Sequence, residues 1–490
     1  GICVCRRSPG RLWSAAMRVQ TLRPPRARRA ARNPAWRCGA VLLLAWLPAA
    51  VPAAGSADSA GAAAAGVSDP LAAMQVAQLE NGLTVLTLED HTTPVVSFQI
   101  FVDVGSGDEA RFTGLAHLFE HMMFRGTKHL GPEEHSRLIE ARGGRINAYT
   151  SRDLTVYYED ITSEHLPLVI SLEAERFANL DISEESLASE REVVISERRW
   201  RSEDSPEGRA FETLMALTFF AHPYRIPTVG WLSDLQKVSL EECLAFFRAY
   251  YAPGNLVVAI AGDFDTEETL ALMQQQFGQL PSAQPSPRNP TEEPQQLGER
   301  SATVRMDVQS PLLALAWHAP ATGHEDAEAL DLLSLALSNG PNSRLYQRLI
   351  YGESVALEVS SAYWELRRAG LFYFTVQVRP GEDAARAEAL LMEEIERLRR
   401  ELVSPRELQR AKRAMEVSMV AGRGSAHALA SRMGREWVFF RRIIPLAEKL
   451  ARYESVSAED VQRVAQRYLD PAGRNLVRVL PGAASGAGGS

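Results

Sequence analysis

Gly114-Leu-Ala-His-Leu-Phe-Glu-His-Met-Met-Phe-Arg-Gly-Thr127 is the stretch on which the reading of this chain turns. It contains His117, Glu120 and His121 in the order His-x-x-Glu-His, the reverse of the commoner zinc-site order. On a helix, residues four apart share a face. His117 and His121 therefore aim imidazole nitrogens at one ion, and Glu120 leans to the same side. A carboxylate there is placed to hold a water that the ion acidifies. Leu115, Leu118, Phe119, Met122 and Met123 make the rest of the helix apolar, and three ionisable groups buried in such a setting are costly without a metal. Two neutral ligands, one base and one further ligand make the kit for metal-assisted peptide hydrolysis.

The third ligand is sought among carboxylates on another helix. The segment Ser183 to Ser202 is rich in helix formers and carries Glu190, Glu192 and Glu197. Glu190 and Glu197 lie two turns apart and share a face, so spacing leaves both as candidates.

These residues resemble the pitrilysin/insulinase family of zinc metallopeptidases, and among its members those of about this chain's size, such as mitochondrial processing peptidase and bacterial relatives. The resemblance implies that the third ligand is the glutamate 76 residues after His121, which is Glu197. It also implies that Glu190 stands behind the ligands. Gly143-Gly-Arg-Ile-Asn-Ala-Tyr-Thr150, Thr155-Val-Tyr-Tyr158, His222-Pro-Tyr224 and Tyr250-Tyr-Ala-Pro-Gly-Asn255 leading to Gly262-Asp-Phe264 carry the likeness further. The family's substrate-pairing edge strand falls on Asn147, Ala148, Tyr149 and Thr150. One zinc ion per chain, Glu120 as catalytic base, and His117, His121 and Glu197 as ligands are the expectation.

The chain departs from the family in one place. Complete members carry an Arg and a Tyr seven apart in the C-terminal domain, and here Ile350 and Leu357 stand in those places. Neither donates a hydrogen bond. Arg348 and Tyr351 are near but out of register. The resemblance therefore implies a zinc-bearing catalytic subunit of an endopeptidase, completed by a same-fold partner that carries the Arg/Tyr pair. A heterodimer is expected, with a homodimer as the alternative; the rival function is a non-catalytic core subunit of a complex.

At 490 residues the chain exceeds what one core supports. The expected class is α+β, with two homologous domains, each an antiparallel sheet packed with helices; the family resemblance implies that they fold as two halves of a clam shell. Strand-like runs open each half: Leu83–Leu88 and Val95–Val104 first, Ala302–Met306 and Leu312–Trp317 second. Pro281-Ser-Ala-Gln-Pro-Ser-Pro-Arg-Asn-Pro290 suits neither helix nor sheet and divides them. The expected division is a leader over 1–54, a flexible tether over 55–74, a zinc-binding domain over 75–280, a linker over 281–297, a second peptidase-like domain over 298–481 and a tail over 482–490.

The first 37 residues hold ten arginines and no acid, and an apolar run from Cys38 to Ala54 follows. That is the pattern of an export signal, which places the mature chain in a bacterial periplasm; a mitochondrial presequence is the alternative. Without the leader the balance is 43 basic against 61 acidic residues, or −18, from a full-chain value of −8. Nucleic acid is thereby an unsuitable partner, and basic or neutral peptides are favoured. Only Cys243 of the four cysteines lies beyond the leader, so no intrachain disulfide forms there. No membrane span is expected in the mature chain.

Overall fold

The computed structural model describes residues 69–283 and 288–482. The expected leader, most of the tether and the tail beyond 482 lie outside them. Two sheets organise the described residues, as an α+β fold. The first contains β1 (Gln75–Gln78), β2 (Thr84–Glu89), β3 (Val95–Val102), β4 (Arg145–Thr150), β5 (Thr155–Thr162) and β6 (Leu256–Gly262) in the order β1-β2-β6-β3-β5-β4. The second contains β7 (Arg300–Met306), β8 (Leu312–Ala319), β9 (Ala356–Trp364), β10 (Gly370–Val378) and β11 (Asn475–Pro481) in the order β7-β11-β8-β10-β9. Read through the chain, the second order repeats the first without β1.

The sheets are mixed rather than purely antiparallel. β2 pairs parallel with β6, and β11 pairs parallel with β7. In each half the closing strand returns after most of that half's chain has intervened, and a connection of that length permits a parallel entry. β6, Leu-Val-Val-Ala-Ile-Ala-Gly, is buried at every position. Such an unbroken apolar run is what a strand covered on both faces requires.

What covers those faces crosses between the halves. Helix Pro206–Thr218 lies on the second sheet, where Ala210, Leu214 and Met215 join Leu312, Ala314, Val477 and Val479 in one core. Helix Ala426–Phe440 lies on the first, where Leu429, Ala430 and Met433 pack with Leu86, Phe101, Val257 and Ala259. The approach is close: a Cβ at Gly434 would meet the Phe101 ring at 2.0 Å. Each half therefore lends one helix to the other.

The end of the tether and the interdomain stretch are tied where they are described. Leu71 is buried within the short helix Pro70–Ala73, and Asp69 accepts from Leu446 N at 2.6 Å. The tether thus gives way to packed chain before residue 74, because Leu71 has an apolar seat. In the interdomain stretch, Arg288 bonds Asp108 at 2.9 Å and Asp103 at 2.8 Å. Glu293 accepts from the backbone N–H groups of Phe220, Ala221 and His222. Among the described residues, no helix is long and apolar enough to cross a membrane.

Behind the first sheet lies a buried ionic cluster. His135, Glu159 and Glu173 bring donor atoms within 4.8 Å of one another. Arg176 pairs with Glu173 and stacks over Tyr157 at 4.7 Å, so a guanidinium already supplies the cation. Two carboxylates against one guanidinium leave one negative charge uncompensated. Burial accordingly pushes Glu159 and Glu173 each up to about 7. A carboxyl raised in the folded state stabilises below its unfolded pKa near 4.5, and that contribution is lost as pH rises through about 7. Glu159→Gln removes the liability. Its melting temperature should exceed the parent's at pH 8, by the equivalent of roughly 2–3 kcal/mol, and the gap should close at pH 5. Burial holds His135 down to about 3, so it stays neutral in the fold across that interval. Equal gaps at both pH values would refute this account of the cluster.

Candidate metal centre

Helix Leu115–Met122 begins at Gly114, whose φ is +87°. A Cβ there would meet Val229 O at 2.6 Å, so the turn requires glycine. No side chain of the N-cap residue closes the helix. Glu109 does so from outside, accepting from Gly114 N at 2.7 Å and Ala116 N at 2.8 Å. Burial pushes this carboxyl up to about 8, against the pull of those two N–H groups. Phe119 anchors the opposite face, its ring 5.2 Å from Phe247 and 4.9 Å from Tyr251. That packing fixes which way His117, Glu120 and His121 point.

Helix Glu184–Arg198 brings Glu197 to the two imidazoles. Glu197 Oε1 is 3.7 Å from His117 Nε2, and Oε2 is 3.2 Å from His121 Nε2. These spacings test the donor set. A charged hydrogen bond closes to about 2.7–2.9 Å, whereas tetrahedral ligands at roughly 2.0–2.1 Å from one ion stand about 3.3–3.4 Å apart. The observed pair of distances brackets the second value. Burial holds His117 down to about 3, and it is therefore neutral, as a ligand must be. Burial opposes ionisation of Glu197, yet His121, His117 and Arg201 together hold it down to about 2. Two imidazole nitrogens and one carboxylate fit a divalent ion of the zinc type.

Glu190 occupies a different place from Glu197. Its Oε1 lies 2.8 Å from His121 Nδ1, the ring nitrogen turned away from the cluster, and its Oε2 lies 2.5 Å from Arg125 Nε. Glu120 is buried beside the imidazoles. Thr150 Oγ1 donates to Glu120 Oε2 at 2.7 Å. Burial pushes Glu120 up to about 7, with His121 and the Thr150 bond opposing.

β4 ends its sheet and pairs only with β5 among the described strands. Asn147, Ala148, Tyr149 and Thr150 therefore lie on an edge, with Thr150 reaching the base. Ile350 packs against the second core and Leu357 is exposed on β9. Arg348 is bound to Glu353 at 2.9 Å and Glu393 at 3.0 Å, and Tyr351 packs on Tyr346 at 5.2 Å. No hydrogen bond or ion pair joins either to the His117–His121–Glu197 cluster among the described residues.

Thr150's service to Glu120, the Glu109 cap, Arg125 and Arg201 were not anticipated. Arg201 alone had a signal, standing four residues after Glu197 on a helical pattern and bonding it at 3.0 Å.

Residues 84–230 match the family described as insulinase, peptidase family M16, and residues 237–415 match its inactive-domain companion. The chain belongs to the insulinase family of peptidases. A zinc protease of Helicobacter pylori is 28% identical over 410 residues, covering 82% of this chain and 92% of that protein. An uncharacterized zinc protease of Mycobacterium tuberculosis has the same identity and coverage. The crystal structure of a protease from Helicobacter pylori superposes with a TM-score of 0.80 at 28% identity, covering 83% of this chain and 99% of that one. A peptidase M16 inactive domain from Pseudomonas fluorescens shares the fold, with a TM-score of 0.77 at 20% identity over 84% and 98% of the two chains.

Proposed function

We propose that this insulinase-family chain is a zinc-dependent metalloendopeptidase that cleaves extended peptides, one zinc per chain, held by His117, His121 and Glu197. The observation that carries this reading is the convergence of those three donors beside Glu120 at ligand-like spacings. Zinc, when bound, lowers the pKa of a water and polarises the scissile carbonyl. The chain's own residues do the rest. Thr150 fixes Glu120 through Oε2 and leaves Oε1 to take the water's proton. The same carboxyl then returns that proton to the leaving amine. Glu190 accepts from His121 Nδ1–H and so orients the ring. The edge of β4 suits an extended peptide as an added strand, which tolerates many sequences. The basic and then apolar leader supports export to a periplasm.

The donor half of the oxyanion site is what Ile350 and Leu357 fail to supply. We therefore assign that half to a same-fold partner bearing an Arg/Tyr pair. The isolated chain should bind about one zinc yet cleave unstructured peptides slowly. Adding such a subunit should raise kcat by about 10²–10³-fold, the value of a lost oxyanion donor regained. A peptidase assay, with sedimentation to show the chain is alone, checks this. Full activity in isolation would overturn the divided site. No activity with any partner would favour the core-subunit reading.

A further inference from the structure

Beside the metal centre lies a cavity of about 310 Å³, lined among others by Arg152, Arg201, Arg225, Phe211, Glu212 and Met215. It adjoins the site through Arg201, which bonds Glu197. Arg152 is its unusual member. Only 5% of this residue is exposed. Its Nε donates to Tyr224 O at 3.1 Å, and its guanidinium stacks between Trp364 at 4.9 Å and Phe211 at 5.7 Å. No carboxylate pairs with it among the described residues. The adjacent Asp153 is turned instead to the Tyr224 hydroxyl and to Arg367 N. Burial accordingly lowers the Arg152 pKa to about 10, with only Asp153 and Tyr224 opposing.

A buried guanidinium without an anion is costly, and its two terminal nitrogens are a ready fork for a carboxylate. The other charges around the cavity do not fill that role. Glu212 is already held by Arg198 at 3.1 and 3.2 Å. Arg225 donates to Phe220 O and adds a second positive charge at the rim. Arg201 adds a third, partly offset by Glu197. The lining is thus locally cationic although the chain as a whole is acidic.

We propose that this cavity is a subsite for a carboxylate of the bound peptide, chiefly an aspartate or glutamate side chain near the scissile bond, with Arg152 as the selecting residue. The inference rests on the peptidase reading and gives it a specificity. It reverses, at one position, the basic preference that net charge implies, because a field averaged over the surface does not describe one enclosed pocket.

The test uses the full chain carrying Glu120→Gln, loaded with zinc so that peptides are held uncut. Fluorescent extended peptides, with Glu or Gln placed at each position in turn, are titrated as C-terminal acids and as amides. One position should bind Glu about 10–100-fold tighter than Gln, the scale of a charged hydrogen bond, in acids and amides alike. Arg152→Gln should erase that preference and Arg152→Lys retain part of it. Phe211→Glu, which hands Arg152 an internal carboxylate, should erase it without removing the arginine; circular dichroism and zinc content show that each variant folds. A preference seen only with terminal acids would keep the carboxylate chemistry and move its source to the peptide's end. No preference, no peptide binding, or a preference unchanged in Arg152→Gln and Phe211→Glu overturns the proposal. Acid-selective binding without cleavage by the parent chain, even with an Arg/Tyr-bearing subunit added, removes the peptidase reading and leaves the subsite standing. Cleavage without acid preference does the reverse.

Discussion

Glu120→Gln should keep its zinc and lose turnover by about 10²–10⁴-fold, the usual contribution of a positioned base. The amide has the shape of the carboxyl, and its oxygen still accepts from Thr150 Oγ1, so the local packing survives. What disappears is the carboxyl that Thr150 holds beside the imidazoles, placed to take a proton and give it back. Zinc content and kcat on the same preparation separate the two effects. His117→Ala and His121→Ala should lose metal and activity together. A Glu120→Gln protein that loses its zinc, next to a histidine variant that keeps it, would reverse the roles given to these residues.

The two glutamates on helix Glu184–Arg198 should behave differently. Glu197→Gln is expected to strip the metal, because its carboxylate faces both Nε2 atoms. Glu190→Gln should weaken zinc binding by about 10–100-fold, since it acts through the far nitrogen of His121. Part of that loss comes from Arg125, whose charge would then sit near the centre with Glu133, at 3.5 Å, as its remaining carboxylate. Competition with a chelator of known affinity ranks the variants. Equal losses would abolish the distinction between the two glutamates, and the opposite order would exchange them.

Much of the centre was legible because its first part is local. His117, Glu120 and His121 lie within about one helical turn, and helical spacing alone puts them on one side. The choice between Glu190 and Glu197 was not legible from spacing, since both share a face. Distinguishing them takes knowledge of which imidazole nitrogen each meets, and that depends on how two helices pack. The same limit applies to Thr150, which looked like one more edge-strand residue, and to Arg152, whose lack of an anion is visible only once Asp153 is seen turned away. The strands at the start of each half were readable from their apolar runs. The parallel pairings were not, because a strand's pattern does not record the direction of its neighbour. Nor does an amphipathic helix record which sheet it will cover, and helices Pro206–Thr218 and Ala426–Phe440 each cover the sheet of the half to which they do not belong in sequence.

That exchange of helices bears on how such a chain can change over evolutionary time. A duplicated protein whose copies stand side by side is free to shed one copy, or to have its gene split between them. Here loss of either copy would uncover an apolar face of the survivor, with Phe101 and Val257 on one side or Leu312 and Val477 on the other. The second half is thus retained for what it covers, whatever it contributes to chemistry. An exposed position in it such as Leu357 can vary where the buried Leu312 and Val477 cannot.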